Sequence, residues 1–254
     1  VIHAAALKQV PTAEYNPFEF IKTNVVGTQN VVEACLSTNV EKLISLSTDK
    51  ASSPINLYGA TKLAADKLVL SLNNISGNRK IKSSVVRYGN VMGSRGSVIP
   101  FFISLNKKNF YPITNPEMTR FMISLEQGVN LVWHAFENLL GGEIYVKKIP
   151  SMKVTDLANV VAPDAKQEII GIRPGEKLHE QMIGIEDAPH TFEYKEHFKI
   201  LPAIHNWSKA PHTIKNGKPV SATFLYTSSK HKDWMTTEEL SKWIKLNKDK
   251  IGLI

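Results

Sequence analysis

Among the 254 residues only Cys35 is a cysteine, so neither a disulfide framework nor a cysteine-based zinc cluster is available. A lone thiol within an apolar helical pattern reads as a packed core group, and the compartment as reducing and cytoplasmic. Long hydrophobic runs are missing too. The best candidate, Phe121 to Phe136, is broken by Glu126, Gln127 and Asn130, which leaves nothing of transmembrane length. Acidic residues number 23 against 31 Lys and Arg, a formal charge of +8. The lysines are nevertheless scattered, with small clusters at Lys107-Lys108, Lys147-Lys148 and Lys230-His231-Lys232. No basic helix or aromatic-interleaved stripe forms, which argues against nucleic acid and for an anionic small molecule. Repeats and low-complexity tracts are absent. So is a glycine-rich turn between a strand and a helix; Gly171 to Gly175 lacks that context.

What is present alternates in type. Val1-Ile2-His3-Ala4-Ala5-Ala6 reads as the end of a buried strand, which predicts that the chain is a fragment starting mid-strand. A loop is expected over Pro11 to Asn16. Asn16 is expected to cap a helix with Pro17 in its first turn, continuing to about Ser37. A strand over Leu43 to Ser47, a helix over Tyr58 to Leu72 and a strand over Ser83 to Tyr88 follow. This β-α-β-α-β order is the mark of a parallel doubly wound sheet with right-handed crossovers. Beyond it the pattern is mixed: helices over 97–107, 125–138, 154–161, 174–182 and 237–246, and strands over 111–114, 143–146 and 168–171. The fold class expected is α/β, a doubly wound parallel sheet without its first β-α-β unit, with a smaller mixed α/β region. The division is placed at 1–92 and 93–254, with about 120–146 returning to the core sheet.

The densest chemistry lies in Tyr58-Gly59-Ala60-Thr61-Lys62, preceded by Ser47-Thr48-Asp49-Lys50. Tyrosine and lysine four apart share one helical face. There an ammonium can lower the phenol's pKa, and a phenolate can take a proton from a sugar hydroxyl as hydride leaves its carbon. The preceding strand delivers Thr48, Asp49 and Lys50 to its carboxyl end, where open α/β sheets keep their ligands. The tyrosine–lysine spacing alone arises often by chance; with the strand and the triplet it becomes specific. His3 reads as a packed structural histidine. Asn24 either braces backbone or takes part in chemistry. Tyr111, Trp133 and Trp207 read as packing residues.

These residues resemble the extended short-chain dehydrogenase/reductase superfamily of nucleotide-sugar enzymes over essentially the whole chain. His3-Ala4-Ala5-Ala6 is similar to its strand end beside the nicotinamide ribose. Asn24-Val25-Val26-Gly27-Thr28 is similar to its central helix motif, and Arg87-Tyr88-Gly89-Asn90-Val91 to the strand that turns toward substrate. Lys50 after Thr48-Asp49, together with Tyr58, resembles the soluble inverting UDP-N-acetylglucosamine 4,6-dehydratase branch, which opens pseudaminic acid synthesis for flagellin glycosylation. The stretch Ile172-Arg173-Pro174-Gly175-Glu176-Lys177-Leu178-His179-Glu180 is similar to that branch as well, as are Tyr226-Thr227-Ser228-Ser229 and Trp234-Met235.

The resemblance implies NADP as cofactor, a UDP-sugar substrate, a homo-oligomer at full length, and neither nucleic acid nor membrane as partner. It implies catalytic roles for Thr48, Asp49, Lys50 and Tyr58. Tyr58 would take the proton of the 4-hydroxyl while hydride passes to the nicotinamide. Neutral Lys50 would remove the carbon 5 proton, and protonated Asp49 would donate to the departing 6-hydroxyl. Which of the pair is acid and which base stays open, since adjacent groups titrate as a unit. Tyr58, Lys62, Val91 and Ala5 are the implied cofactor contacts, Lys62 also tuning Tyr58. Ala4, Lys8, Asn90, Arg95, Arg120, Arg173 and Glu176 are the implied substrate contacts, the arginines for the diphosphate and Glu176 for ribose hydroxyls. The alternatives are a nucleotide-sugar 4-epimerase, or a non-catalytic remnant without the cofactor pyrophosphate site. The 254 residues alone are expected to be inactive.

Overall fold

Strands form where apolar and β-branched residues run without interruption, and helices where the apolar spacing changes to three and four. A computed structural model of the chain describes residues 1–105, 110–203 and 214–253; Lys107, Lys108 and Trp207 lie outside the described residues. Two compact units result. The first is Val1–Tyr88, Val129–Lys148 and Gln181–Tyr226; the second is Gly89–Gly128, Ile149–Glu180 and the residues from Thr227 on. Residues 181–226, expected in the second region, thus pack with the sheet unit.

The first unit is built on a seven-stranded sheet. Ile2–His3, Lys42–Thr48, Lys82–Tyr88 and Ile144–Lys147 lie side by side in parallel. His197–Ile200, Thr191–Glu193 and Lys218–Pro219 extend it antiparallel. Leu43, Ile44, Val85 and Val86 are fully enclosed, as near-continuous apolar strands covered on both faces require. The helix Leu57–Ile75 buries Tyr58, Thr61, Lys62, Ala65, Asp66, Val69 and Leu72, a stripe at helical spacing. From the helix Leu125–Asn138, Leu131, Val132 and Ala135 pack with Ile44, Val86 and Tyr145. Beside them aromatic rings stack. His197 lies 4.7 Å from Tyr194 with planes 3° apart, and 4.6 Å from His134. The Lys199 ammonium stands 5.0 Å over the Tyr145 ring.

The second unit has a three-stranded sheet: Asn90–Val91 is parallel to Thr119–Ile123, and Ser151–Lys153 is antiparallel to it. A separate parallel pair joins Phe110–Ile113 to Lys166–Ile169. The helices Val98–Ser104, Val154–Val161 and Thr237–Leu246 close a core of Ile99, Phe102, Tyr111, Met122, Leu157 and Leu240. Among the described residues no helix is long and apolar enough to cross a membrane.

Three expectations are corrected. Residues 11–16 are no loop: a helix spans Val10–Tyr15, with Pro11 in its first turn where the missing N–H costs nothing. Asn16 does not cap the next helix through its side chain; its amide donates back to the Thr12 carbonyl at 3.3 Å. The stretch 174–182 is not a helix. Gly175 takes φ +77, the left-handed region that ends helical continuation, and Gln181–Ile183 is a strand. The strand Thr119–Ile123, fully buried, was absent from the expected elements.

Candidate active site

The strand Lys42–Thr48 ends in a short 3-10 turn, Asp49–Ala51, whose first residues are held by the Thr48 hydroxyl accepting from the Lys50 N–H at 3.3 Å. The helix Leu57–Ile75 is capped by Asn56, whose Oδ1 accepts from the Gly59 N–H at 2.7 Å. Gly59 has to be glycine. A Cβ there would sit 2.2 Å from the Lys50 carbonyl oxygen and 3.0 Å from Pro54 Cβ. The first turn of the helix therefore rests directly on the backbone that presents Asp49 and Lys50.

Thr48, Asp49, Lys50 and Tyr58 are brought together. Thr48 Oγ1 donates to Asp49 Oδ1 at 2.9 Å, and Lys50 Nζ donates to the same oxygen at 3.0 Å. Asp49 is buried while the Lys50 side chain remains part exposed. The Tyr58 phenol is pushed up to about 12 by burial. The Lys50 charge and a hydrogen bond with Thr48 oppose that rise, whereas Asp49 and Tyr88 add to it. The cation that eases Tyr58 ionisation is thus Lys50. Lys62, expected to tune Tyr58, donates from Nζ to the Leu46 carbonyl at 2.7 Å. Lys62 is nearly enclosed; burial lowers its pKa and the Asp66 charge opposes the fall.

Behind this cluster the helix over 17–36 contains a π-helical segment, Ile21–Val26. The wider turn carries the buried Asn24 inward. Its Oδ1 accepts from Leu7 N at 2.8 Å, and its Nδ2 donates to Leu7 O at 2.9 Å and Thr61 Oγ1 at 3.1 Å. Asn24 is a brace between the loop after the first strand and the tyrosine–lysine helix. That loop presents Ala4, Ala5 and Lys8, all exposed. His3 is buried, its Nε2 3.0 Å from Thr28 Oγ1. Thr28 donates its own proton to the Asn24 carbonyl at 2.6 Å, so His3 is the donor and carries its proton on Nε2.

The remaining implied contacts lie in the second unit. Asn90 and Val91 are half-buried, and Asn90 Oδ1 has no hydrogen-bond partner among the described residues. Arg95 is exposed. Arg120 is nearly buried: Nη1 donates to Thr119 O at 2.7 Å and Leu178 O at 3.2 Å, while Nε lies 3.7 Å from Glu180 Oε1. Arg173 is ion-paired with Glu176, its Nε 3.0 Å from Oε1. Each of these two arginines thus carries its own carboxylate.

Sequence reasoning gave no role to Ser47, Asp66 or Glu180. Ser47 Oγ donates to Asp66 Oδ2 at 2.7 Å, and Arg87 Nη2 lies 3.6 Å from the same oxygen. Asp66 had a legible signal, as a carboxylate on the buried helical face at the same spacing beyond Lys62 that separates Lys62 from Tyr58. Glu180 had none, because only the turn at Gly175 brings it to Arg120.

A family model described as polysaccharide biosynthesis protein matches residues 1–202. The chain belongs to this family. It is 52% identical over 248 residues to a UDP-N-acetylglucosamine 4,6-dehydratase (inverting) of Campylobacter jejuni subsp. jejuni, covering 94% of this chain and 74% of that protein. It is 41% identical over 233 residues to a UDP-glucose 4-epimerase of Rickettsia rickettsii, covering 90% of this chain and 68% of that protein. Among solved structures, Pen from Bacillus thuringiensis superposes with a TM-score of 0.86 at 37% identity, over 98% of this chain and 76% of the other. The chain shares its α/β architecture with that structure.

Proposed function

We propose that the protein dehydrates UDP-N-acetylglucosamine across carbons 4 and 6 with inversion at carbon 5, using NADP. The observation that carries this reading is the Asp49–Lys50 hydrogen bond of 3.0 Å beside the Tyr58 phenol. Moving one proton along that bond turns a carboxylate and an ammonium into a carboxylic acid and an amine. The pair then holds at once a base for the carbon 5 proton and an acid for the departing 6-hydroxyl, so the elimination is balanced within the pair; inversion then takes a separate proton, drawn from solvent, onto the opposite face of carbon 5. Thr48, bonded to Asp49, holds the carboxyl in place for the transfer.

The cofactor fits the residues present. The Lys62 ammonium has three N–H donors, and Leu46 O is its one hydrogen-bond acceptor among the described residues. The other donors suit ribose hydroxyls, with Ala5 and Val91 as further contacts. When bound, a nicotinamide supplies the hydride acceptor for carbon 4 and the hydride donor for carbon 6. As its phenolate, Tyr58 takes the 4-hydroxyl proton; the Lys50 charge favours that ionised form against burial. Asn90 Oδ1, buried and without a hydrogen-bond partner among the described residues, suits a sugar hydroxyl, with Ala4 beside the sugar. Arg95, Arg120, Arg173 and Lys8 are the proposed diphosphate contacts. Glu176 reaches ribose only if it releases Arg173.

The relatives named as epimerases support a second reading, 4-epimerisation, which needs Tyr58 and Lys62 but no acid–base pair at Asp49 and Lys50. Incubation with UDP-N-acetylglucosamine and NADP in deuterated water separates the two. A product short of one water, 4-keto, with deuterium at an inverted carbon 5, is expected. A product of unchanged mass, epimeric at carbon 4, overturns the dehydratase reading.

A further inference from the structure

The helix Leu57–Ile75 places Tyr58, Lys62 and Asp66 at successive i, i+4 positions on one face. The proposed chemistry uses the first two and leaves Asp66 without a task. Yet Asp66 is 1% exposed, and a carboxylate so placed is costly unless charges and hydrogen bonds compensate. Ser47 Oγ donates to its Oδ2 at 2.7 Å, and Arg87 Nη2 stands 3.6 Å from that oxygen. Oδ1 has no hydrogen-bond partner among the described residues. Arg87 is anchored in turn, donating to Met182 O at 2.8 Å and lying 3.4 Å from Asp187 Oδ2. It is also the register partner of Ser47 across the parallel strands. Lys62 grips Leu46, Asp66 grips Ser47, and the next residue is Thr48. Two consecutive residues of the strand end are therefore tied to one helix face.

We propose that Asp66, set by Ser47 and Arg87, is a positioning residue that keeps the Lys62 ammonium charged and seated on Leu46, one turn from Tyr58. The proposal rests on the reading that Lys62 serves the site. Alternating charges run Arg87, Asp66, Lys62 from one strand into the helix. Burial drives Lys62 toward its neutral amine, and Asp66 opposes this. Burial likewise drives Asp66 toward its neutral acid, opposed by Arg87 and then by Lys62. The charged and titratable groups facing this pair are Arg87 from the neighbouring strand, Asp187 from the turn after Gln181–Ile183, and His3 from the edge strand, whose pKa the Lys62 charge helps to lower. Ser47, from the strand between, is neutral.

The test uses the cofactor-free protein, with the Lys62 Cε resonance followed by 13C NMR through the alkaline range. Asp66→Asn keeps an acceptor for Ser47 but removes the charge. The Lys62 midpoint is expected to move to lower pH, and turnover of the loaded enzyme to fall more as pH rises. Should Asp66→Asn fail to fold because Arg87 loses its buried partner, the double variant Asp66→Asn/Arg87→Gln removes both charges and is read the same way. A Lys62 midpoint unmoved in the folded variant, or a turnover loss equal at every pH, overturns the proposal. If the wild-type protein yields no 4-keto product but Lys62 still shifts, the dehydratase reading fails while the Asp66–Lys62 coupling stands.

Discussion

Acid should loosen this fold through His197 before it touches the carboxylates. Burial depresses the His197 pKa most, followed by His134, Lys199, Lys147 and Lys148, to about 3 from 6.5. His134 is depressed as well, by burial and then by Lys199 and Lys147. A base with a lowered folded pKa binds protons more readily in the unfolded chain. Stability is therefore full above the unfolded value of 6.5 and is lost as pH falls from there toward about 3. At about pH 5 the unscreened linkage for His197 comes to about 2 kcal/mol. The ring is only partly buried, so solvent screening brings this to about 1 kcal/mol. Urea melts at about pH 7.5 and 5 on the wild type and on His197→Gln measure it directly. The variant should lose about 1 kcal/mol less on acidification. Equal losses in the two proteins would refute the reasoning, and the stacked rings would then be solvated enough to titrate normally.

Lys50→Ala removes the proposed base and also the largest charge easing Tyr58 ionisation; dehydration should fall by about 10²–10⁴-fold with UDP binding intact, read by product formation and calorimetry. Arg120→Ala and Arg173→Ala should each weaken UDP binding by about 2–3 kcal/mol and spare cofactor affinity; unchanged UDP titrations in both would move the phosphate contacts to Arg95 and Lys8. Asn24→Ala strips the Leu7 N–H and carbonyl of their partner and should cost about 2 kcal/mol in a urea melt; a cost near zero would mean that water replaces the amide.

The meeting of the candidate residues in the first unit was legible because it is local. Tyr58 and Lys62 are one helical turn apart, and Thr48, Asp49 and Lys50 are consecutive at a strand end, so spacing alone nearly fixes their meeting. The helices 125–138, 154–161 and 237–246 were equally plain from their apolar periodicity. What stayed hidden depends on chain reversals. Arg173-Pro174-Gly175-Glu176 scores as a helix start, but Gly175 at positive φ turns the chain and Glu176 bonds back to Arg173. The partners of Asp66 were hidden in the same way, since Ser47 and Arg87 come from two strands laid against its helix. The influence of Lys50 on Tyr58 was hidden for the same reason, since the turn after the strand brings the two close.

The contact between Gly59 and the Lys50 carbonyl sets a limit on how such an enzyme can be remodelled. With 2.2 Å to the nearest oxygen, even a methyl group at position 59 would push the turn holding Asp49 and Lys50 away from the helix. Exposed Ile55, a few residues off in the same connection, has open surroundings. A saturation library over this stretch should therefore show a sharp contrast, broad acceptance at 55 and glycine alone at 59. The spacing between the Asp49–Lys50 turn and the Tyr58 helix is thus a fixed dimension, and new substrates have to be accommodated elsewhere.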